Sequence, residues 1–369
     1  MSLTLTIVSL VIVGIYSILI IVFAIAFVIR RNVKDVRDNS GKFVSIIVAF
    51  RNEESNLNIL IKGLLNQNYK GNFEIVLVND HSDDNYLKEI TKFSDNPIHL
   101  FNLPDTLKGK KNAIRYAVSK AKGEILAFTD ADCEVNENWL SIMLAEMEYV
   151  HYKMICGPVE FLKTKSIFSS LFQLEFLSLT GSGAAGFFIN RAFMCNGANY
   201  AVYKDVMLEA LEHVNDKYSS GDDVFLLHYL SKKQKVGFIK SYDAIIATRA
   251  PHSITEFFNQ RIRWASKTSG YRNPFAVFIA LICFLSSLII LINGIGSVFN
   301  ADIFRIFMII FIMKFIAELL FMIPVCGFYK KQHLLIGILA LSVFHPIYVV
   351  VTAFLSLIYK PKWKGRKIL

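Results

Sequence analysis

Acidic residues that close apolar runs are the places where this sequence could do chemistry. Asp80 follows Ile75-Val76-Leu77-Val78, within Val78-Asn79-Asp80-His81-Ser82-Asp83-Asp84, and Asp130 and Asp132 follow Leu126-Ala127-Phe128. A hard divalent cation that also holds a diphosphate needs only one or two carboxylates and several open positions. Asp130-Ala131-Asp132 on a loop can supply that set. Two acids after a strand more often cap a helix or line a solvated turn, so their weight comes from what accompanies them.

The elements that must position these acids can be read from the alternation around them. Val44 to Ala49 reads as a buried strand, followed by the polar start Asn52-Glu53-Glu54-Ser55 and a helix-period stretch to Leu65. Phe73 to Val78, Ile98 to Phe101 and Ile125 to Phe128 read as further strands, and Lys110 to Lys120 as a helix. This alternation predicts an α/β domain with a mainly parallel sheet and right-handed crossovers. Such sheets bind ligands at the carboxyl ends of their strands, where the acids fall.

Composition sets the surroundings. With 54% hydrophobic residues, 31 Phe, 15 Tyr and only 19% charged residues, and a mean hydropathy of +0.43, the chain is too apolar for an ordinary soluble domain. Leu3 to Val28 is an apolar run long enough to span about 30 Å of hydrocarbon. It lacks a preceding Lys or Arg and is followed by Arg30 and Arg31, so it reads as an uncleaved anchor in residues 1–30 rather than a signal peptide. Three more blocks, Phe275 to Phe299, Ile303 to Phe328 and Leu334 to Tyr359, fill residues 273–359. Residues 31–272 are then expected to form one cytosolic domain.

The formal charge of +10 falls largely beside these blocks, at Arg30, Arg31, Lys34, Lys330 and Lys331, and in the tail 360–369. It therefore reads as a topology signal, not as a nucleic-acid surface. The positive-inside rule keeps the basic tail cytosolic, whereas simple span counting exports it. His345-Pro346 offers a place for a re-entrant turn in the last block. Ile167 to Ile189 is apolar but carries Gln173 and Glu175, and is expected to lie as an amphipathic helix in the membrane interface. Lys314 and Glu318, one turn apart, read as a mutually neutralised pair. The five cysteines show no ligand or disulfide spacing.

Seven segments in order then resemble a known family: VSIIVAFRNEESN (Val44 to Asn56), VLVNDHSDD (Val76 to Asp84), KGKKNA (Lys108 to Ala113), FTDADCEV (Phe128 to Val135), CNGANYAVYK (Cys195 to Lys204), GDDVFL (Gly221 to Leu226) and QRIRW (Gln260 to Trp264). Together they resemble the motif set of the family 2 glycosyltransferases. The resemblance implies an A-type nucleotide-diphosphosugar transferase fold, a nucleotide-sugar donor such as a UDP-sugar, a Mg²⁺ or Mn²⁺ ion, and inversion at the anomeric carbon.

Position by position, the resemblance assigns Ala49, Phe50, Arg51 and Glu53 to the segment packing on the nucleotide base. It assigns Asp80 to the base, Lys110 (with Lys111 a close second) to the donor, Asp130 to the ribose and metal, and Asp132 to the metal itself. The acidic pair is Asp222-Asp223 where Glu-Asp is usual, which leaves Asp223 in the catalytic position. An inverting transfer needs one carboxylate near the acceptor hydroxyl as general base. Arg263 suits the leaving diphosphate because its planar fork meets phosphate oxygens bidentately. Gln260, Arg263 and Trp264 share one helix face by their spacing, although a Trp just before an apolar block also suits an interface anchor.

Transfer to a lipid acceptor at the membrane is the leading expectation. A processive or short-chain polysaccharide synthase is the nearest alternative, and a transporter using Lys314 and Glu318 is a remote one.

Overall fold

The computed structural model describes residues 3–34, 41–162, 167–213, 222–359, 362–363 and 366–367. Helix α1 (Leu3–Ile29) is followed by β1 (Val44–Phe50), α2 (Glu54–Leu65), β2 (Phe73–Asn79), α3 (Tyr86–Ile90), β3 (Ile98–Asn102), α4 (Lys110–Lys120) and β4 (Ile125–Phe128). Next come β5 (Cys133–Val135), α5 (Trp139–Val150), β6 (Met154–Cys156), β7 (Val159–Phe161), α6 (Ile167–Phe188), β8 (Tyr200–Tyr203), α7 (Lys204–His213), α8 (Asp222–Leu230), β9 (Val236–Phe238) and β10 (Ile246–Thr248). Helices α9 (Ile254–Ala265), α10 (Pro274–Gly296), α11 (Ala301–Phe328) and α12 (Ile338–Ile358) follow. The chain divides into two units. One holds residues 3–30, 167–191 and 250–359, the other 31–34, 41–162, 192–213, 222–249 and the described tail residues.

The second unit is built on a seven-stranded sheet in the order β3-β2-β1-β4-β8-β6-β9. Strand β1 pairs in parallel with β2 and β4, and β2 with β3, while β8 runs antiparallel to both β4 and β6. The runs Val44–Phe50 and Phe73–Asn79 are buried almost throughout, as expected of parallel strands covered on both faces. Chain order reverses beside β1, whose neighbours are β2 and β4, so the carboxyl ends of these three strands border one switch point. A small second sheet, β5-β10-β7, completes this unit.

The first unit is helical. Among the described residues four of its helices are long and apolar enough to cross a membrane: those at 4–29, 274–296, 301–328 and 332–358. Asn273 caps α10, accepting from Phe275 and Ala276 N–H at 3.0 and 3.2 Å, with Pro274 in the first turn, where its missing N–H costs nothing. Lys314 is fully buried against Glu318. The Tyr16 hydroxyl donates to Glu318 Oε1 at 2.8 Å and Ser342 Oγ to Oε2 at 2.9 Å, tying α1, α11 and α12 together at a neutralised pair.

Three expectations shift here. The turn at Pro346 does not form, because α12 runs unbroken from Ile338 to Ile358 with Pro346 buried inside it. A single lost backbone bond is tolerated where neighbouring helices cover it. Helix α6 is not two-faced, since Phe172 to Leu177 are buried in succession. The boundary of the expected 31–272 domain also moves, because 167–191 and 250–272 group with the apolar helices. Of the basic tail, Lys360, Lys364 and residues 368–369 lie outside the described residues, while Lys362–Trp363 and Arg366–Lys367 form an antiparallel pair.

Candidate active site

The end of β1 turns sharply at Asn52, whose φ of 53° is left-handed, a conformation asparagine tolerates better than most residues. The turn is held by the loop after β2. Asn52 N–H donates to Ser82 Oγ at 2.9 Å, Asn52 Oδ1 accepts from Asp83 N–H at 2.8 Å, and Glu54 N–H donates to Asp84 Oδ2 at 2.8 Å. Arg51 is part of this clamp: its guanidinium donates to the Asp80 carbonyl at 2.9 Å and to the His81 carbonyl, and pairs with Asp83 at 2.9 Å. Phe50 is buried, its ring packed edge-on against Tyr86 at 5.3 Å. Of the segment that the resemblance assigns to the nucleotide base, then, Phe50 and Arg51 have their side chains engaged in the protein, while Ala49 is half-buried.

Asp80 is 1% exposed. Its Oδ2 accepts from Gly109 N–H at 3.0 Å, and its Oδ1 lies 3.0 Å from His81 Nδ1. The Gly109 φ of 93° requires glycine, so Asp80 and Gly109 together set where α4 begins. That start matters because Lys110 is the first residue of α4 and its ammonium pairs with Asp130. Burial would lower the Lys110 ammonium's pKa, but Asp130, then Asp223 and Asp132, raise it above the ordinary lysine value. Lys111 is buried.

Around Lys110 the carboxylates outweigh the balancing charge. Burial first, then the charges of Asp130 and Glu53, push the Asp132 carboxyl up to about 6. Asp223, the second residue of α8, lies beside Gly197, where an added Cβ would sit 3.1 Å from Asp223 Oδ2. Gly197 thus leaves the space the acid fills, in the turn before β8. Among the described residues no three Asp, Glu, His or Cys side chains form a ready cage. A pair of hard oxygen donors with unbalanced negative charge fits a Mg²⁺ or Mn²⁺ ion that takes its other ligands from diphosphate and water.

Helix α9 is capped at its start by Ser253, and the Glu256 side chain reaches back one residue further, to His252. Ser253 Oγ accepts from Glu256 N–H at 3.1 Å and Glu256 Oε2 accepts from His252 N–H at 2.8 Å. Gln260, Arg263 and Trp264 lie on it as the spacing predicts, half-buried. They belong to the helical unit, whereas Ala49, Glu53, Asp80, Lys110, Asp130, Asp132 and Asp223 belong to the sheet unit. Sequence reasoning missed Gly197, Arg261 and Glu175. Arg261 stood inside QRIRW and Glu175 inside an apolar run, so both carried a signal.

Residues 45–211 match the family model for glycosyl transferase family 2. The chain carries a family 2 glycosyl transferase domain. Over 120 residues it is 32% identical to the beta-monoglucosyldiacylglycerol synthase of Trichormus variabilis, covering 31% of this chain and 26% of that protein. The chain thus spans about a quarter of that relative's length. It is 22% identical over 355 residues to the poly-beta-1,6-N-acetyl-D-glucosamine synthase of Staphylococcus epidermidis, covering 88% and 84% of the two chains. The mannosyltransferase PcManGT from Pyrobaculum calidifontis, solved with GDP-Man and Mn²⁺, superposes with a TM-score of 0.56 at 15% identity over 96% of this chain and 97% of its own. That likeness establishes the A-type nucleotide-diphosphosugar transferase fold. The family 2 match contains Asp80, Lys110, Asp130 and Asp132 and stops short of Asp223 and α9.

Proposed function

We propose that the chain is an inverting glycosyltransferase moving a sugar from a nucleotide-diphosphosugar, of the UDP-sugar class, to a hydroxyl of a membrane lipid in glycolipid or cell-envelope assembly. The carrying observation is the gathering of carboxylates near the carboxyl ends of β1 and β4, where burial and then the charges of Asp130 and Glu53 hold the Asp132 carboxyl above its ordinary range, beside the Lys110–Asp130 pair. Ala49, Glu53 and Asp80 flank the nucleotide. Asp132, with Asp130, would hold Mg²⁺ or Mn²⁺, which when bound supplies positive charge to the leaving diphosphate. Lys110 holds a fixed ammonium on the same side. Asp223 accepts the proton of the acceptor hydroxyl as it attacks from the face opposite the diphosphate. The motif resemblance assigns Arg263 to the diphosphate, with Gln260 and Trp264 as its companions on α9.

The similarity to a poly-beta-1,6-N-acetyl-D-glucosamine synthase along most of both chains supports a second reading, repeated addition to a growing glycan. Purified protein incubated with labelled nucleotide sugars and total lipid extract separates the two. Label in organic solvent supports lipid transfer, label in high-mass polymer supports the synthase, and no transfer refutes both.

The catalytic unit is read as facing the cytosol from the inner (cell) membrane, with Arg30, Arg31 and Lys34 following α1 on that side. The grouping of the described tail residues with the catalytic unit supports a tail on the same face. Cysteine placed at Gly365, with native thiols removed, should resist an impermeant thiol reagent in intact cells. Labelling there would put the tail outside.

A further inference from the structure

Glu175 interrupts an apolar helix and is 1% exposed, and the group that answers its charge comes from the motif helix. Arg261 of α9 is 4% exposed, donates from Nε to Glu175 Oε1 at 3.0 Å and meets Oε2 through Nη2. The Tyr348 hydroxyl of α12 donates to Glu175 Oε1 at 2.8 Å. The remaining edge of the guanidinium reaches the motif itself, with Nη1 donating to Gln260 Oε1 at 2.5 Å. Its faces lie against Phe257 and Trp264, 4.5 and 4.4 Å from the ring centroids. Phe257 in turn stacks on Phe172 of α6 at 4.3 Å, and Phe176 meets Trp264 at 6.2 Å.

We infer that Glu175 is the positioning residue of the α9 motif: through Arg261 it sets the side-chain amide of Gln260 and the ring of Trp264. A buried ion pair stabilises a helix contact no better than well-packed apolar residues of similar size. What the pair supplies instead is direction, because the guanidinium's donors form a rigid fork. With its amide oxygen taken by a charged donor, Gln260 presents its NH₂ group. The substrate atom it meets is therefore an oxygen acceptor, a hydroxyl or diphosphate oxygen, and not an N–H. The inference rests on the transferase reading of α9.

The test compares full-length wild type with Glu175→Leu/Arg261→Met, which replaces the pair by apolar residues. Expected are a wild-type Tm and donor KM with kcat lower by about 10²-fold, the scale of a small misplacement of a reacting group. Wild-type kcat in this folded double variant overturns the inference, because the pair would then be structural only. Should the double variant fail to fold, Glu175→Gln keeps an acceptor and removes the charge. A fall in kcat at unchanged donor KM supports positioning, and unchanged kcat overturns it. Absence of sugar transfer by wild type defeats the parent reading, and this inference with it, before any variant is made.

Discussion

The charged residues of the two units are balanced differently. At the strand ends of the sheet unit, burial first and then the charges of Asp130 and Glu53 push the Asp132 carboxyl up to about 6, with Lys110 paired to Asp130. In the helical unit Glu175 is matched by Arg261 and Tyr348, and Glu318 by Lys314, Tyr16 and Ser342. A carboxylate cluster held against its own repulsion is a state that a cation would relieve, and such perturbed groups concentrate at functional sites. A buried pair with every oxygen answered leaves no charge for a ligand and sets the frame instead. The two clusters therefore teach different things: excess charge marks where a ligand belongs, and balanced charge marks what holds the scaffold in register.

The sharpest break of this contrast is at Asp132. Asp132→Asn should abolish transfer and weaken donor binding, since an amide cannot balance a cation, and full activity of the variant in EDTA would overturn the cation's role. Next is Asp223→Asn, expected to lose about 10² to 10⁴ in kcat with donor Kd unchanged, and Asp222→Asn should be milder. If the two variants exchanged behaviour, the base would be Asp222.

On the balanced side, Lys314→Met leaves Glu318 without its counter-ion and should cost about 3–5 kcal/mol in unfolding of the detergent-solubilised protein. Donor binding to the survivors should stay at the wild-type value. A parallel loss of donor affinity would show that the two clusters are not separable in function. Gly197→Ala puts a Cβ 3.1 Å from Asp223 Oδ2 and should lower kcat by about tenfold at unchanged Tm, on the scale of a small displacement of a catalytic group.

The smallest effect is a pH dependence. The Asp132 carboxyl lies at about 6 against an ordinary 3.8, so its ionised form disfavours the cation-free fold above pH 6, and the penalty vanishes below the ordinary value. The Tm gain of Asp132→Asn over wild type should accordingly be absent near pH 3.8, grow through the interval and be complete above pH 6. Stabilisation of wild type by Mn²⁺ should follow the same rise, because the cation binds the ionised acid. A pH-independent Tm difference would show that Asp132 carries no such perturbation.

Much of the sheet was legible because its signals are local. Lys110–Lys120 and Ile125–Phe128 form as the periodicity predicts, and β1, β2 and β3 end within a residue of expectation, whereas the short strands β6, β8 and β9 of the same sheet carried no such signal. Runs of β-branched residues broken by polar starts carry that information within a few positions. Phe50 and Arg51 show the limit, since the motif marks their backbone but not where their side chains turn. Arg51 closes onto a loop about 30 residues away, and Phe50 packs into the core.

Helix α6 shows the same limit over a longer range. Gln173 and Glu175 looked like the polar side of an interfacial helix, because polarity in an apolar run has two solutions, water or a buried partner. The partners of Glu175 are 86 and 173 residues away. Pro346 likewise read as a break until neighbouring helices were in place to tolerate it. By itself the sequence determined strands β1 to β4, the strand-end acids and the four apolar blocks, each set by composition and period over short stretches. Only the tertiary structure decided that Gly197 makes room for Asp223, that Arg51 is a clamp, and that Glu175 faces Arg261, because burial and charge balance depend on residues far apart in the chain meeting in space.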